Sequence, residues 1–300
     1  MGDFDFLEPI PKTSVSVKLP SRGVPYPKGT PMASGKLTLT PMTMVEETMI
    51  TDPKTAGEDS VDKILKRCIQ ESVDVNALLG SDKFFLFMML RAVTYGSEYT
   101  FQWTCPAMKN PVELCGHKNT TTVKIPDDFQ IKYLADEDVE PYTVRLPECQ
   151  REISFRLLRG YDDPVIDAYK AKIAAQSKAG IQVVDTTPIF RLVRQIVKVD
   201  GKDVTEAPED KMLAFVQSIP PKDIQLLKGR MAHFTPGMST DLTLVCEKCK
   251  AVHEWDLPIT ANFFRVVDST TGRPIGDEIR SHVLSGDAPR GNNEDGSSRA

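Results

Sequence analysis

The chain is predicted to fold as an α+β protein, with a helical core, a small antiparallel β element and a composite, zinc-ribbon-like pair of β hairpins. Three observations predict this. Helix-period and strand-period segments come in successive blocks and do not alternate one for one. Two remote stretches share the plan of alternating strand, cysteine-bearing turn and alternating strand. Those two stretches also hold the only two tryptophans, Trp103 and Trp255.

The elements follow in chain order. Residues 1–34 carry prolines at 9, 11, 20, 25, 27 and 31 and no sustained periodicity, so an extended arm with little core of its own is expected. The segment 35–97 begins with Gly35-Lys-Leu-Thr-Leu-Thr, which alternates as a strand does. A short helix over Met42–Ile50 follows, with Glu46-Glu47 on its solvated face, and then a longer one over Val61–Glu71. In the latter, Val61, Ile64, Leu65, Cys68 and Ile69 share one face, which makes Cys68 a small core residue. Ser81–Tyr95 is apolar around its middle and predicts a buried helix, capped by Ser81 or Asp82 and ended by Gly96.

Residues 98–160 change to period two. Glu98–Thr104, Thr120–Ile125, Gln130–Leu134, Tyr142–Leu146 and Glu152–Leu158 are expected strands. In 161–239 helices resume. Asp163-Pro164 opens one that Gly180 closes, and Thr187-Pro188 opens another through Ile189, Leu192, Val193, Ile196 and Val197. Arg191, Arg194 and Lys198 are assigned to a solvated face. Asp200-Gly201 is a turn signal. Pro208 opens a helix that Pro220-Pro221 stops, and Pro221 starts the next, to about Phe234. Residues 240–267 predict strand, Cys-x-x-Cys knuckle, strand, and 268–300 a segment whose last fifteen residues form a mobile, disordered tail.

Composition removes whole classes of function. The formal charge is −5, with 26% charged and 40% hydrophobic residues, a balance that argues against a general nucleic-acid binder. The longest apolar run, Phe84–Leu90, is too short to span a membrane. The opening Met1-Gly-Asp-Phe-Asp-Phe has no cationic stretch, so no secretory signal is expected, and Gly2 lacks the Ser or Thr that favours myristoylation. Phosphate-cradling and dinucleotide-binding glycine motifs, the Gly-x-Ser-x-Gly elbow and the His-Glu-x-x-His zinc motif are all missing. No catalytic residue is assigned, and an enzyme is not expected. Asn119-Thr-Thr matches a glycosylation sequon that means nothing without export.

Without export the six cysteines are expected to be reduced. Cys149 has no evident partner and is read as structural or incidental. The other four fall in two clusters. Cys246-x-x-Cys249 is shaped like a zinc knuckle, in which a tight turn aims two thiolates at one point. Cys105 and Cys115 also lie between strands, but nine residues separate them, where knuckles usually have about two to four. If the hairpins pair, Cys105, Cys115, Cys246 and Cys249 make a closed, structural Zn²⁺ site, with His117 or His253 as substitutes. The competing reading keeps the fold and leaves four reduced thiols.

Leu19-Pro-Ser-Arg-Gly-Val-Pro-Tyr-Pro-Lys-Gly, then Leu37-Thr-Leu-Thr-Pro-Met-Thr with Glu46-Glu47, resembles the opening of the T-even-type bacteriophage baseplate protein family. The resemblance continues through Ile64-Leu-Lys-Arg-Cys, Asp82-Lys-Phe-Phe-Leu-Phe-Met-Met-Leu-Arg and Tyr95-Gly-Ser-Glu-Tyr-Thr-Phe before Cys105-Pro106, and returns at 246–249 with His253 and Asp256-Leu-Pro-Ile. It covers roughly residues 15–265. Similar members tend to carry Cys-Pro-x-Cys-Gly, whereas here Cys105-Pro106 is separated from Cys115-Gly116.

The resemblance implies a structural component of a contractile-tail baseplate. Such a protein would be made in the host cytoplasm, bound to other baseplate proteins, and present in several copies of a symmetric virion assembly without nucleic acid or membrane. Contact is expected through the arm, at Leu19, Pro20, Tyr26 and Pro27, the alternative being that the arm packs on its own domain. Two alternatives stand beside it: a transient hub-assembly chaperone not retained in the virion, and a zinc-ribbon nucleic-acid binder. Around the knuckle, Lys248, Lys250 and Trp255 favour the latter, and Asp241, Glu247, Glu254 and Asp256 oppose it.

Overall fold

The first ordered strand, β1 (Val15–Lys18), pairs antiparallel with β2 (Lys36–Leu39), and Val17 and Leu37 meet across the pair on its buried face. The computed structural model describes residues 13–51, 58–108, 113–178, 184–259 and 261–264. The expectations for the first twelve residues, for Gly180 and for the segment 268–300 lie outside them.

Between β1 and β2 the chain does not behave as an arm. Leu19, Pro20 and Tyr26 are buried within the chain itself, and of the four residues assigned to partner contact only Pro27 is exposed. The reason is a polar pin that periodicity does not register. The Tyr26 hydroxyl donates to Asp82 Oδ2 at 2.5 Å and accepts from the Leu79 amide at 3.0 Å, while the Ser21 amide donates to Asp82 Oδ1 at 3.1 Å. Burial pushes the Asp82 carboxyl up, against the pull of these donors, and burial beside Asp82 raises the Tyr26 phenol as well. The Leu134 amide donates to the Pro20 carbonyl, and Arg159 donates to that of Pro25. The loop then closes on itself so tightly that a Cβ on Gly23 would lie 2.6 Å from the Ala33 carbonyl oxygen, at a φ of +83°. Only glycine fits there.

Helices α1 (Met44–Thr51), α2 (Glu58–Cys68) and α3 (Gly80–Tyr95) follow, with Cys68 in the core as its spacing predicts. Asp82 does not cap α3, because it is turned inward to Tyr26. Glu46 is also not on a solvated face. It is 2% exposed, accepts from the Thr43 amide (2.8 Å) and hydroxyl (2.5 Å), and pairs with Arg67 at 2.7 Å. Such an N-terminal box satisfies otherwise orphaned helix donors. Burial would raise this carboxyl, but the Thr43 and Arg67 hydrogen bonds outweigh it and hold it at about 2, against an ordinary 4.5.

Strands β3 (Glu98–Thr104) and β4 (Lys118–Lys124) form a hairpin, after which β5 (Ile131–Lys132) leads to β6 (Tyr142–Arg145) and β7 (Glu152–Phe155). Helix α4 (Asp163–Lys178) and α5 (Thr187–Gln195) start at the expected Asp-Pro and Thr-Pro pairs. The latter stops earlier than its apolar spacing suggests. Ile196 and Val197 belong to β8 (Ile196–Val199), which pairs with β7 and turns at Asp200-Gly201 into β9 (Lys202–Asp203). Their β-branched side chains suit a strand, and the left-handed Asp200 and Gly201 make the turn. The sheet order is therefore β6-β7-β8-β9, antiparallel throughout.

Helices α6 (Glu209–Ser218) and α7 (Pro221–Phe234) complete this half, with Phe234 stacked on Tyr142 at 4.1 Å. Strand β10 (Gly237–Met238) pairs back onto β5, and β11 (Asp241–Val245) with β12 (Val252–Asp256) forms the last hairpin. Most of the buried apolar residues of these segments make one contiguous core, from Val17 to Phe264, with Leu134, Ile166 and Phe190 buried outside it. The α+β class is as expected.

One charged centre joins the halves. Asp162, fully buried, accepts hydrogen bonds from the two terminal nitrogens of the Arg156 guanidinium (2.7 and 2.8 Å), from Arg194 at 2.9 Å and from the Arg159 amide at 3.0 Å. Arg194 thus belongs to a buried cluster and not to a solvated face. Burial raises this carboxyl, and the two arginines and the amide more than reverse the effect, so it stays ionised.

Three outcomes follow from these contacts. Asp162→Asn, which leaves Arg156 and Arg194 without their counter-charge, should cost about 3–5 kcal/mol in urea unfolding. Because the Glu46 carboxyl is depressed in the fold, its contribution is complete above about pH 4.5 and is lost as pH falls towards 2. Stability of the natural chain should accordingly fall more between pH 6 and pH 3 than that of Glu46→Gln, by about 2 kcal/mol. Deleting residues 1–34 should abolish cooperative unfolding, since it strands Asp82 and uncovers β2; a truncated chain with an unchanged midpoint would contradict this placement of the loop.

Candidate metal centre

Two hairpins with matching registers build the site. In β3 and β4, Tyr99, Phe101 and Trp103 stand opposite Val123, Thr121 and Asn119, and all six share one face. In β11 and β12, Leu242 and Leu244 stand opposite Trp255 and His253. These faces meet. The rings of Trp103 and Trp255 lie 6.0 Å apart, Trp103 packs edge-on against His253 at 5.7 Å, and the Trp103 indole donates to the Thr121 hydroxyl at 2.9 Å.

Each hairpin delivers two cysteines at the same end. Cys105 directly follows β3 and Cys246 directly follows β11. The Cys105 amide donates to the His117 carbonyl and the Gly116 amide returns to the Cys105 carbonyl; in the second turn the Cys246 amide donates to Ala251 and the Lys250 amide to Cys246. Both turns end with a left-handed residue after their second cysteine, Gly116 at φ 59° and Lys250 at φ 60°. The internal repeat seen in the sequence is therefore a repeat of backbone conformation. The nine-residue spacer does not disturb it. The Cys115 amide donates to the Ala107 carbonyl at 2.7 Å and Met108 bridges to Leu114, so the excursion closes on itself beyond the turn.

The four sulfurs of Cys105, Cys115, Cys246 and Cys249 lie within 4.8 Å of one another. Cys105 and Cys249 are 3.6 Å apart, Cys115 and Cys246 3.9 Å. A tetrahedron with metal–sulfur bonds of about 2.3 Å has edges of about 3.8 Å. Four sulfurs so placed can hold a metal ion. Three of the cysteines are buried and Cys249 is exposed at the rim. Burial opposes ionisation, but at Cys246 it is outweighed by the amides of Cys249 and Lys248 and the thiols of Cys249 and Cys105, which bring the thiol down to about 6. At Cys105 burial prevails and the neighbouring thiols add to it, so the value is pushed up to about 12.

The two histidines considered as substitutes separate. His253 Nε2 lies 3.3 Å from Cys105 Sγ, beside the cluster. His117 points elsewhere, 3.9 Å from a Glu247 carboxylate oxygen. Sequence reasoning missed Asn119. It is 2% exposed, accepts from the Glu247 amide at 2.9 Å, donates to the His117 carbonyl at 3.1 Å and approaches Cys246 Sγ at 3.8 Å. One side chain thus stitches both turns, and its inward register in β4, opposite Trp103, was the available signal. Cys149 stays apart, its amide bonded to Asp223 at 2.8 Å.

These features define a class: an α+β protein whose two remote hairpins meet at a four-cysteine centre able to hold a metal ion. Residues 10–265 match the family model described as T4 bacteriophage base plate protein, and the chain belongs to that family. No curated protein and no solved structure matches it. None of the described helices is long and apolar enough to cross a membrane.

Asn119→Ala should leave the Glu247 amide without its partner and cost about 1–3 kcal/mol. Urea unfolding checks this; an unchanged midpoint would mean that the stitch contributes nothing.

Proposed function

We propose that the chain is a structural component of a contractile phage tail baseplate, retained in the virion, and that its four cysteines bind one structural Zn²⁺ as a zinc-ribbon-like centre. Family membership supports the setting. The observation that carries the rest is the convergence of four sulfurs from positions up to 144 residues apart. An all-sulfur, closed donor set favours zinc held for structure, with all four positions taken by protein. Closing the 131 residues between Cys115 and Cys246 costs about 4–5 kcal/mol. A structural zinc supplies about 10–16 kcal/mol, so the metal outweighs the loop.

The product of this arrangement is a body of fixed shape, which is what a subunit held by other baseplate proteins, in several copies of a symmetric assembly, requires. The chain would be made in the host cytoplasm and end in the tail baseplate. No catalytic role is proposed for any residue. A hub-assembly chaperone absent from the particle shares the same fold, and mass spectrometry of purified virions separates the two: a stoichiometric signal is expected, and its absence would favour the chaperone. For the nucleic-acid reading, Asp241, Glu247, Glu254 and Asp256 are all exposed at the second hairpin and repel phosphate.

Purified protein should contain about one equivalent of zinc, lost in Cys246→Ser/Cys249→Ser, with chelation lowering the unfolding midpoint. A metal-free chain of equal stability would refute the zinc proposal.

A further inference from the structure

The hairpins touch at their cysteine ends and part along their length. Strand β4 runs from the cysteine turn towards the junction of β5 with β10, where the Ser239 amide donates to the Gln130 carbonyl, and β11 runs the opposite way, from that junction to Cys246. At the cysteine end the two strands are tied again by the Glu247–Asn119 bond and the Cys115–Cys246 contact. Between these ties β4 pairs only with β3 and β11 only with β12, so among the described residues each keeps an unpaired edge. A groove of about 840 Å³ opens there, its walls including Thr121 and Val123 of β4 and Leu242 and Trp255 of the second hairpin.

The charge in the groove is of one sign. Asp128, Asp241, Glu254 and Asp256 line it, no lysine or arginine does, and none of the four is in an ion pair among the described residues. Among the described residues Asp128 accepts only from the Lys124 amide, and Asp241 only from the Ser239 hydroxyl. Here four carboxylates line one groove together with the half-buried Trp255, a charge that draws in cationic side chains. The unpaired edges add backbone donors and acceptors for an extended chain.

We propose that this groove is a docking site for a lysine- or arginine-bearing, extended segment of a neighbouring protein, laid along the edges of β4 and β11 with its cations among Asp128, Asp241, Glu254 and Asp256. The nature of the partner rests on the baseplate reading above; the groove and its charge do not. It also replaces the arm as the place where contact is made, since Leu19, Pro20 and Tyr26 are buried.

The test uses the full-length chain and a labelled, end-blocked peptide of alternating lysine and threonine, read by fluorescence anisotropy at low ionic strength. Saturable binding is expected, at least about tenfold tighter than that of the matching glutamate peptide and weakened by added salt. Asp241→Asn/Glu254→Gln, two exposed positions whose change leaves the core intact, should weaken it about tenfold, and N-methylation of alternate peptide amides should weaken it further. Failure of the lysine peptide to saturate, equal affinity for the glutamate peptide, or binding unchanged in the double variant would overturn the proposal. Self-association of the chain that the double variant abolishes would assign the groove to a second copy and overturn it as well. Zinc content and virion mass spectrometry are independent of all these outcomes, so the docking site and the baseplate reading can fail separately.

Discussion

Two hairpins separated by more than a hundred residues bring four sulfur atoms to one point, and most of the architecture is arranged around that meeting. The helices α4 to α7 and the four-stranded sheet all lie in the loop it closes. Without the tie, the β11–β12 hairpin would rest on the aromatic contact of Trp103 with Trp255 and His253 and on the short β5–β10 pairing. A two-stranded hairpin is marginal alone. Set against a second one at the four sulfurs and through Asn119, it becomes part of a core that runs from Val17 to Phe264.

A second set of constraints is polar and buried. Asp82 with Tyr26, Asp162 with Arg156 and Arg194, and Glu46 with Thr43 and Arg67 each pin one segment to another far along the chain or to the start of a helix. Arg91, 2% exposed, adds a fourth. It donates to the Gly96 carbonyl and lies over the rings of Tyr99 and Phe263, linking the central helix to both the β-rich segment and the end of the described chain. Such groups specify one arrangement, because any slip leaves a charge unpaired in the interior.

This division explains what was legible in the sequence. Elements with a strong local signal were readable: the Pro-started helices, the Asp-Gly turn, Cys68 on its apolar face and the paired hairpins. The four sulfurs were legible too, because two copies of one strand-turn-strand pattern leave few other ways to bury their aromatic faces. What failed was decided by partners remote in sequence. The proline-rich loop looked like an arm because Tyr26 finds Asp82 only 56 positions further along the chain. Glu46 and Arg194 looked like surface residues, and Asn119 drew notice only as a sequon, because nothing local reveals Arg67, Asp162 or Glu247 opposite them. Ile196 and Val197 continued a helical spacing, and only the β7 edge waiting beside them turns that run into a strand.

X-ray absorption at the zinc edge of the purified protein examines the shared thiolate centre most directly. The predicted spectrum is a single shell of four sulfur neighbours at about 2.3 Å. A shell containing only two sulfurs, or one dominated by nitrogen and oxygen, would show that the remote hairpins do not share one ion and would contradict the account.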